Sequence, residues 1–201
     1  MNDSLPLSAS CGEPRQAAEN EASATPRADR PLFLVGMMGA GKTTIGRHLA
    51  RALNKEFVDL DHELEARCGV RVSLIFDIEG EAGFRKRETA ALDECSQRSG
   101  IVLATGGGAV LAEENRRYLR ERGVVVYLRA SAAELYRRVA RDRSRPLLQT
   151  ADPERRIREL LAQREPLYES VAHLTFETGS MPVGQAVQAL ISMLQQHETL
   201  S

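Results

Sequence analysis

Residues 31–44 have the sequence PLFLVGMMGAGKTT, which is the most informative segment of the chain for its fold. Residues 36–43 within it match the pattern G-x-x-x-x-G-K-[ST], the phosphate-binding P-loop. Glycines let the backbone turn tightly around a phosphate, so that several N–H groups point inward. Lys42 adds a positive charge that reaches the β- and γ-phosphates, and the Thr43 hydroxyl suits Mg²⁺.

The residues on either side of the motif supply the context that it needs. The apolar run 31–35 predicts a buried strand, and residues 43–54 predict a helix with Ile45, Leu49 and Leu53 on one face. The N-terminus of such a helix favours an anion. A glycine-rich turn with an incidental lysine is the alternative interpretation, and the order strand, loop, helix argues against it.

The composition indicates one globular domain. The chain has 201 residues, of which about 170 have a globular composition. Its net charge of −1 argues against a nucleic-acid or acidic-membrane partner. Residues 1–29 are rich in Ser, Ala, Glu, Pro and Asn without an apolar period, which predicts a disordered extension ahead of a domain at 30–198.

The cysteines and the apolar segments indicate the cellular compartment in which we expect the protein. Cys11, Cys68 and Cys95 are widely spaced and form no metal or redox motif, and Cys95 falls on an apolar helix stripe. No apolar segment is long enough to span a bilayer, and the N-terminus lacks the regions of a signal peptide. We therefore expect a cytoplasmic protein with no membrane partner.

Apolar strands and helices alternate from residue 31 onward. This alternation predicts an α/β three-layer sandwich, a five-stranded parallel sheet with helices on both faces. Strands are predicted at 31–35, 56–61, 101–104, 124–128 and 174–176, and helices at 43–54, 61–68, 82–98, 113–122, 131–141, 153–165 and 182–196. Ligands of such sheets bind at the carboxyl ends of the strands, which directs attention to the polar residues there.

Two acidic residues follow the second predicted strand. If the strand extends through residue 61, Asp59 and Asp61 point the same way, and such a pair needs a cation or substrate donors. Asp61 as an ordinary helix N-cap is the alternative. The third strand ends in Thr105-Gly106-Gly107-Gly108 and lacks an acidic residue, so Asp59 is the best candidate to hold Mg²⁺. The three glycines predict either close approach to a ligand or a tight turn.

Basic residues cluster in two further places. Residues 83–88 lie on a predicted helix, where spacing alone does not choose among Arg85, Lys86 and Arg87. Residues 141–148 are basic and without a regular period, which suits a lid. Arg164 stands two residues before Pro166, which we expect to end its helix.

Together these segments resemble the shikimate kinase family. The matching segments are GMMGAGKTT at 36–44, DLD at 59–61, GFR at 83–85, TGGG at 105–108, RPLL at 145–148 and REPLY at 164–168. They occur in the family's order and with compatible spacing. The resemblance implies ATP-dependent phosphorylation of the 3-hydroxyl of shikimate to 3-phosphoshikimate, a step towards chorismate and the aromatic amino acids. It also implies a P-loop NTPase fold of the nucleoside monophosphate kinase type, a lid at about 141–153 and a monomer.

The resemblance also implies roles for single residues. Arg85 and Arg164 would hold the shikimate carboxylate, Asp61 would bind the ring hydroxyls including the attacking one, and Gly107 would give a backbone contact. Thr43, and Asp59 through water, would hold one Mg²⁺. The implied ATP-binding residues are Gly39, Ala40, Gly41, Lys42, Thr43, Thr44, Arg138, which would stack on adenine, and Arg145, which would close over the phosphates from the lid.

Two departures and three alternatives accompany this interpretation. The N-terminal extension has no counterpart in the compact form of the family, and residues 179–182, where the family contacts adenine, are not distinctive. A nucleotide kinase would need a base pocket, whereas gluconate shares a carboxylate and hydroxyls with shikimate and is the harder alternative. A non-catalytic nucleotide-binding protein would bind ATP without turnover, and the intact Lys42, Thr43 and Asp59 argue against it.

Overall fold

The computed structural model describes residues 29–140, 150 and 152–200. Cys11, Arg145, the predicted extension up to residue 28 and most of the predicted lid lie outside these residues. Asp29 and Arg30 already belong to the fold, because the Asp29 carbonyl accepts from the Gly100 N–H and the Arg30 carbonyl accepts from Lys55 Nζ.

Five strands and seven α-helices alternate along the described residues. The strands are β1 (Leu32–Val35), β2 (Glu56–Asp59), β3 (Ile101–Ala104), β4 (Val124–Arg129) and β5 (Leu174–Glu177). The helices are α1 (Lys42–Ala52), α2 (Leu60–Cys68), α3 (Val72–Ser96), α4 (Glu113–Arg122), α5 (Ala132–Val139), α6 (Pro153–Val171) and α7 (Val183–Leu200).

All five strands are parallel and form one sheet in the order β2-β3-β1-β4-β5. Every residue of β1 and β3 is buried, as continuous apolar runs predict for strands covered on both faces. Helix α1 packs with α7, while α4 packs with α3 and α6. The predicted three-layer α/β class is confirmed, and Cys95 is fully buried in the core as its stripe predicts.

The order of the strands decides where a ligand can bind. Strands β2, β3 and β1 are neighbours, so the segments that follow them meet at one edge of the sheet. These segments carry Asp59 and Asp61, the glycines 106–108, and the P-loop. Three sequence features that are far apart in the chain therefore become adjacent.

The predicted boundary between β2 and α2 is wrong. Strand β2 ends at Asp59, and Asp59 is the N-cap of α2, because its Oδ1 accepts the Asp61 N–H at 3.2 Å. Asp61 is neither on the strand with Asp59 nor the cap of the helix, but lies in its first turn. The first N–H groups of a helix have no partner within the helix, and the Asp59 cap accepts a hydrogen bond from one of them. With Asp61 on the strand, this N–H would lack that partner.

Two helices are longer than their patterns predict. Helix α3 begins at Val72 and is kinked at Gly80, whose φ of 67° and ψ of −176° few other residues adopt. Helix α6 continues through Pro166 to Val171, so the expectation that Pro166 ends it is wrong. Burial of Tyr168 and Val171 outweighs the hydrogen bond that proline removes. Among the described residues, no helix is long and apolar enough to cross a membrane.

Candidate active site

The P-loop between β1 and α1 is held open by left-handed glycines. Gly41 is the N-cap of α1 with a φ of 97°, and Gly39 has a φ of 80°. No side chain caps α1 and no acidic residue stands in its first turn. The positive end of this helix therefore faces the site, where it favours a bound phosphate.

The Lys42 side chain folds back onto its own loop. Its Nζ donates to the Gly36 carbonyl at 2.8 Å and to the Met37 carbonyl at 3.0 Å. These contacts keep the ammonium beside the loop, within reach of a phosphate bound by the loop N–H groups.

A cavity of about 480 Å³ lies above the carboxyl ends of the strands. It brings together most of the residues that the sequence singles out: Gly39, Ala40, Gly41, Lys42, Thr43, Thr44, Asp59, Asp61, Gly107 and Arg138. Thr105, Thr178, Met181, Val183 and Ala186 also line it. The last four follow β5 or begin α7. Met181 belongs to the stretch 179–182 where the family contacts adenine, whereas the sequence pattern does not identify Thr178, Val183 and Ala186 beforehand.

Thr43 and Asp59 form a direct contact across this cavity. Thr43 Oγ1 donates to Asp59 Oδ2 at 2.8 Å. Hydroxyl and carboxylate oxygens are ligands that suit Mg²⁺, which also keeps several waters and substrate phosphate oxygens in its shell. The described residues contain no cluster of three or more His, Cys, Asp or Glu that could hold a metal, so a cation here depends on those additional ligands. The donor set fits Mg²⁺ on these terms.

The glycine loop, residues 106–108, joins the two halves of the site. A methyl group on Gly106 would lie 2.6 Å from Glu88 Oε1 and 3.4 Å from Asp61 Oδ1. One on Gly107 would lie 3.3 Å from the Met38 nitrogen in the P-loop. One on Gly108 would lie 2.3 Å from Arg85 Nη2. The loop thus fits between the P-loop and a charged cluster, which accounts for the three glycines.

Arg85 is the arginine that reaches this loop. Its Nη1 donates to Glu88 Oε2 at 2.6 Å, and its Nη2 donates to Glu81 Oε1 at 3.1 Å. Arg87 instead pairs with Glu79 at 2.6 Å, and Lys86 is exposed. Helix spacing does not choose among Arg85, Lys86 and Arg87, whereas the structure places Arg85 next to the glycine loop.

Glu88 is a site residue that sequence reasoning missed. It is fully buried although charged, and Arg85 is its ion-pair partner. Burial raises the pKa of the Glu88 carboxyl, while the nearby Arg85 charge opposes the rise. Burial also opposes the charge of Arg85, but Glu88 and Glu81 outweigh it and raise the pKa of that guanidinium. The only available signal was a glutamate three residues after Arg85, which is common on exposed helices.

Arg164 approaches the glycine loop from the other side. It is buried on α6, and its Nη1 donates to the Gly107 carbonyl at 3.2 Å. Arg85 and Arg164 lie behind the cavity rather than among its lining residues. They border consecutive glycines of one loop, so two guanidinium groups converge on the place where Asp61 also points.

Arg138 connects the P-loop with the segment after β5. Its guanidinium donates to the Gly39 carbonyl, to Thr178 Oγ1 and to the Gly179 carbonyl. The residue is exposed and lines the cavity.

The family model for shikimate kinase matches residues 38–195. The chain belongs to the shikimate kinase family. A curated shikimate kinase of Bordetella pertussis is 64% identical over 197 residues, covering 98% of this chain and 93% of that one. The kinase also superimposes on a shikimate kinase of Acinetobacter baumannii solved in complex with shikimate, with a TM-score of 0.82 and 46% identity over 85% of this chain and 95% of that one.

The family assignment confirms the predicted enzyme class and the predicted ATP co-substrate. It does not favour the gluconate alternative. A gluconokinase of Sinorhizobium meliloti is similar with a TM-score of 0.57 but only 16% identity, which shows the shared fold alone. The non-catalytic alternative is likewise not favoured, because the chain keeps the residues of the P-loop and matches a curated shikimate kinase over nearly its whole length.

Proposed function

We propose that the protein transfers the γ-phosphoryl group of ATP directly to the 3-hydroxyl of shikimate. One observation carries the proposal: the glycine loop contacts the P-loop at Gly107 and the Arg85 guanidinium at Gly108. A nucleotide phosphate and a carboxylate substrate would therefore bind on neighbouring parts of one loop. Phosphoryl transfer needs such alignment, together with charge neutralisation, more than it needs covalent chemistry.

The part of the proposed site that binds the phosphoryl donor, ATP, consists of the P-loop and two oxygen ligands. Gly39, Ala40, Gly41 and Thr44 bind the phosphates, and Lys42 leaves the Gly36 and Met37 carbonyls to neutralise the transferring group. Thr43 and, through water, Asp59 hold one Mg²⁺, which when bound neutralises phosphate charge.

The acceptor side consists of two arginines and a carboxylate. Arg85 and Arg164 bind the shikimate carboxylate, because planar guanidinium groups pair with carboxylates through parallel hydrogen bonds. Arg85 Nε and Glu88 Oε1 are buried without a hydrogen-bond partner among the described residues, so the cluster retains polar capacity. Asp61, in the first turn of α2, binds the ring hydroxyls and orients the one that attacks, while Gly107 contacts the ring.

The outer residues of the nucleotide site are assigned on the resemblance. Arg138 stacks on adenine after leaving its contacts with Gly39 and Gly179, and Arg145 covers the phosphates and excludes water. We further propose that the protein is a monomer and, since it consumes ATP, that it works in the cytoplasm.

The proposal is tested by measuring ADP release from Mg-ATP with shikimate, with gluconate or with AMP. We expect stoichiometric ADP formation only with shikimate, and NMR of the product identifies the phosphorylated oxygen. Turnover with gluconate or AMP alone would overturn the acceptor assignment of Asp61, Arg85 and Arg164. ATP binding without turnover on any acceptor would overturn the catalytic assignment.

A further inference from the structure

Two tyrosines stack in the core beneath the glycine loop. The rings of Tyr127 on β4 and Tyr168 on α6 have centroids 5.1 Å apart and an interplanar angle of 25°. Both side chains are fully buried. They share one stack, but their hydroxyl groups differ in what they contact.

The hydroxyl of Tyr168 is directed at the site. It donates to the Gly107 carbonyl, the same oxygen that accepts from Arg164 Nη1 at 3.2 Å. The hydroxyl of Tyr127 is buried and has no hydrogen-bond partner in the part of the chain that the structure describes. One tyrosine of the stack is therefore connected to the glycine loop, whereas the other only packs.

The shared carbonyl controls the orientation of a whole peptide unit. A carbonyl oxygen has two lone pairs, and here the Tyr168 hydroxyl and the Arg164 guanidinium take one each. Because the peptide is planar and trans, holding the Gly107 carbonyl also directs the Gly108 N–H the opposite way. The same peptide is the central one of a turn in which the Ala109 N–H donates to the Gly106 carbonyl at 3.2 Å. Since glycines supply no side chain that would resist rotation of this peptide, the two donors on the Gly107 carbonyl add to the turn in fixing its orientation.

We propose that Tyr168 is a positioning residue of the acceptor site, whose hydroxyl fixes the Gly107 peptide and keeps the Arg164 guanidinium in place for the substrate carboxylate. The inference rests on the proposed function, in which Arg164 binds that carboxylate. It assigns Tyr168 no contact with shikimate and no part in proton transfer.

The surroundings of Tyr168 keep its hydroxyl group protonated, so that it donates its hydrogen bond at every working pH. Burial raises the pKa of its hydroxyl, and the adjacent Arg164 charge only opposes this rise, so the group stays protonated at every working pH. Pro166, which is solvent-exposed and lies two residues before Tyr168, does not weaken the contact, because α6 continues through the proline and places residues 164 and 168 on one face.

The two stacked tyrosines offer a matched pair of variants. Tyr168→Phe removes the hydroxyl that holds the loop, and Tyr127→Phe removes the hydroxyl without a partner; both keep ring volume and stacking. We expect Tyr168→Phe to raise the KM for shikimate about fivefold, the effect of one lost hydrogen bond, with the KM for ATP unchanged within about twofold. Tyr127→Phe leaves both constants unchanged.

The outcomes separate this inference from the function on which it rests. Arg164→Lys, measured beside the two phenylalanine variants, tests the assignment of the carboxylate ligand itself. An increase in the KM for shikimate with Arg164→Lys but not with Tyr168→Phe overturns the inference and leaves the proposed function standing. No increase with either variant overturns both. Equal losses for ATP and shikimate in Tyr168→Phe also overturn the inference, because they indicate a general packing defect. Urea unfolding of each variant supplies the check on folding.

Discussion

Gly108→Ala is predicted to weaken shikimate binding without altering any residue that contacts the substrate. Gly108 has a φ of −104° and a ψ of 0°, which alanine adopts without strain. The new methyl group, however, would lie 2.3 Å from Arg85 Nη2, 2.5 Å from Nη1 and 2.6 Å from Cζ. Ordinary van der Waals contact begins near 3.4 Å, so the guanidinium has to move by about 1 Å.

That movement is opposed by the contacts of Arg85. Its Nη1 lies 2.6 Å from the buried Glu88 and its Nη2 lies 3.1 Å from Glu81, so a displaced guanidinium stretches at least one ion pair. A misplacement of about 1 Å in a binding group costs up to roughly 100-fold in rate, and we expect kcat/KM for shikimate to fall about 10- to 100-fold. The KM for ATP should stay within about twofold, because Gly108 does not face the P-loop.

Steady-state ADP release with each substrate varied in turn measures the effect. Gly184→Ala is the matched control, since it adds the same methyl group where no atom lies within 4 Å, and its kinetic constants should equal those of the parent. If Gly108→Ala retains the parent KM for shikimate, Arg85 does not bind the carboxylate from its present position. If ATP and shikimate lose affinity equally, the loop has collapsed as a whole and the reasoning from the guanidinium is wrong.

Three further predictions address charge and pH. Lys42→Ala should lower kcat for ADP release by about 100-fold or more, since it removes positive charge from the transferring phosphate; near-parental turnover would remove Lys42 from the mechanism. Glu88→Ala should lower the free energy of unfolding in urea by about 2–3 kcal/mol, because the half-buried Arg85 loses its closest partner; an unchanged midpoint would contradict this. His173 Nδ1 accepts the Val125 N–H at 2.9 Å, and burial, with the neighbouring His197, lowers the pKa of His173. The contribution of His173 to stability is therefore complete above the ordinary pKa of 6.5, and it is lost as the pH falls below that value through the folded pKa. The Tm of the parent protein should therefore drop more on acidification than the Tm of His173→Asn. Equal drops in the two proteins would refute the assignment.

The donor side of the site was predictable because its signals are local. The spacing of Gly36, Gly41 and Lys42 defines a loop of eight residues, and its neighbours in sequence are its neighbours in space. Asp59 and Asp61 were placed at the correct end of β2, although the boundary was wrong. The strand-like sequence continues through residue 61, whereas the chain turns where a cap hydrogen bond is available.

The acceptor side depended on contacts that no local pattern encodes. The choice of Arg85 over Arg87 depends on the kink at Gly80, which places Glu79 beside Arg87, and on a loop some twenty residues further on that receives Arg85. The role of Tyr168 was hidden because Pro166 is typical of a helix end. Only the burial of the residues after it reveals that the helix continues.

The position of β1 in the sheet has a consequence for how the protein forms during synthesis. Leu32 pairs with Val102 on one side and with Val124 on the other, so neither neighbour of this strand exists until 70 or more residues have followed it. The apolar strand that precedes the P-loop therefore stays unpaired until the ribosome has synthesised β3 and β4. Strand pairings this distant in sequence also form slowly. Nascent chains shorter than about 125 residues should therefore present Leu32–Val35 to chaperones rather than fold, and nucleotide binding should appear only after β4 emerges.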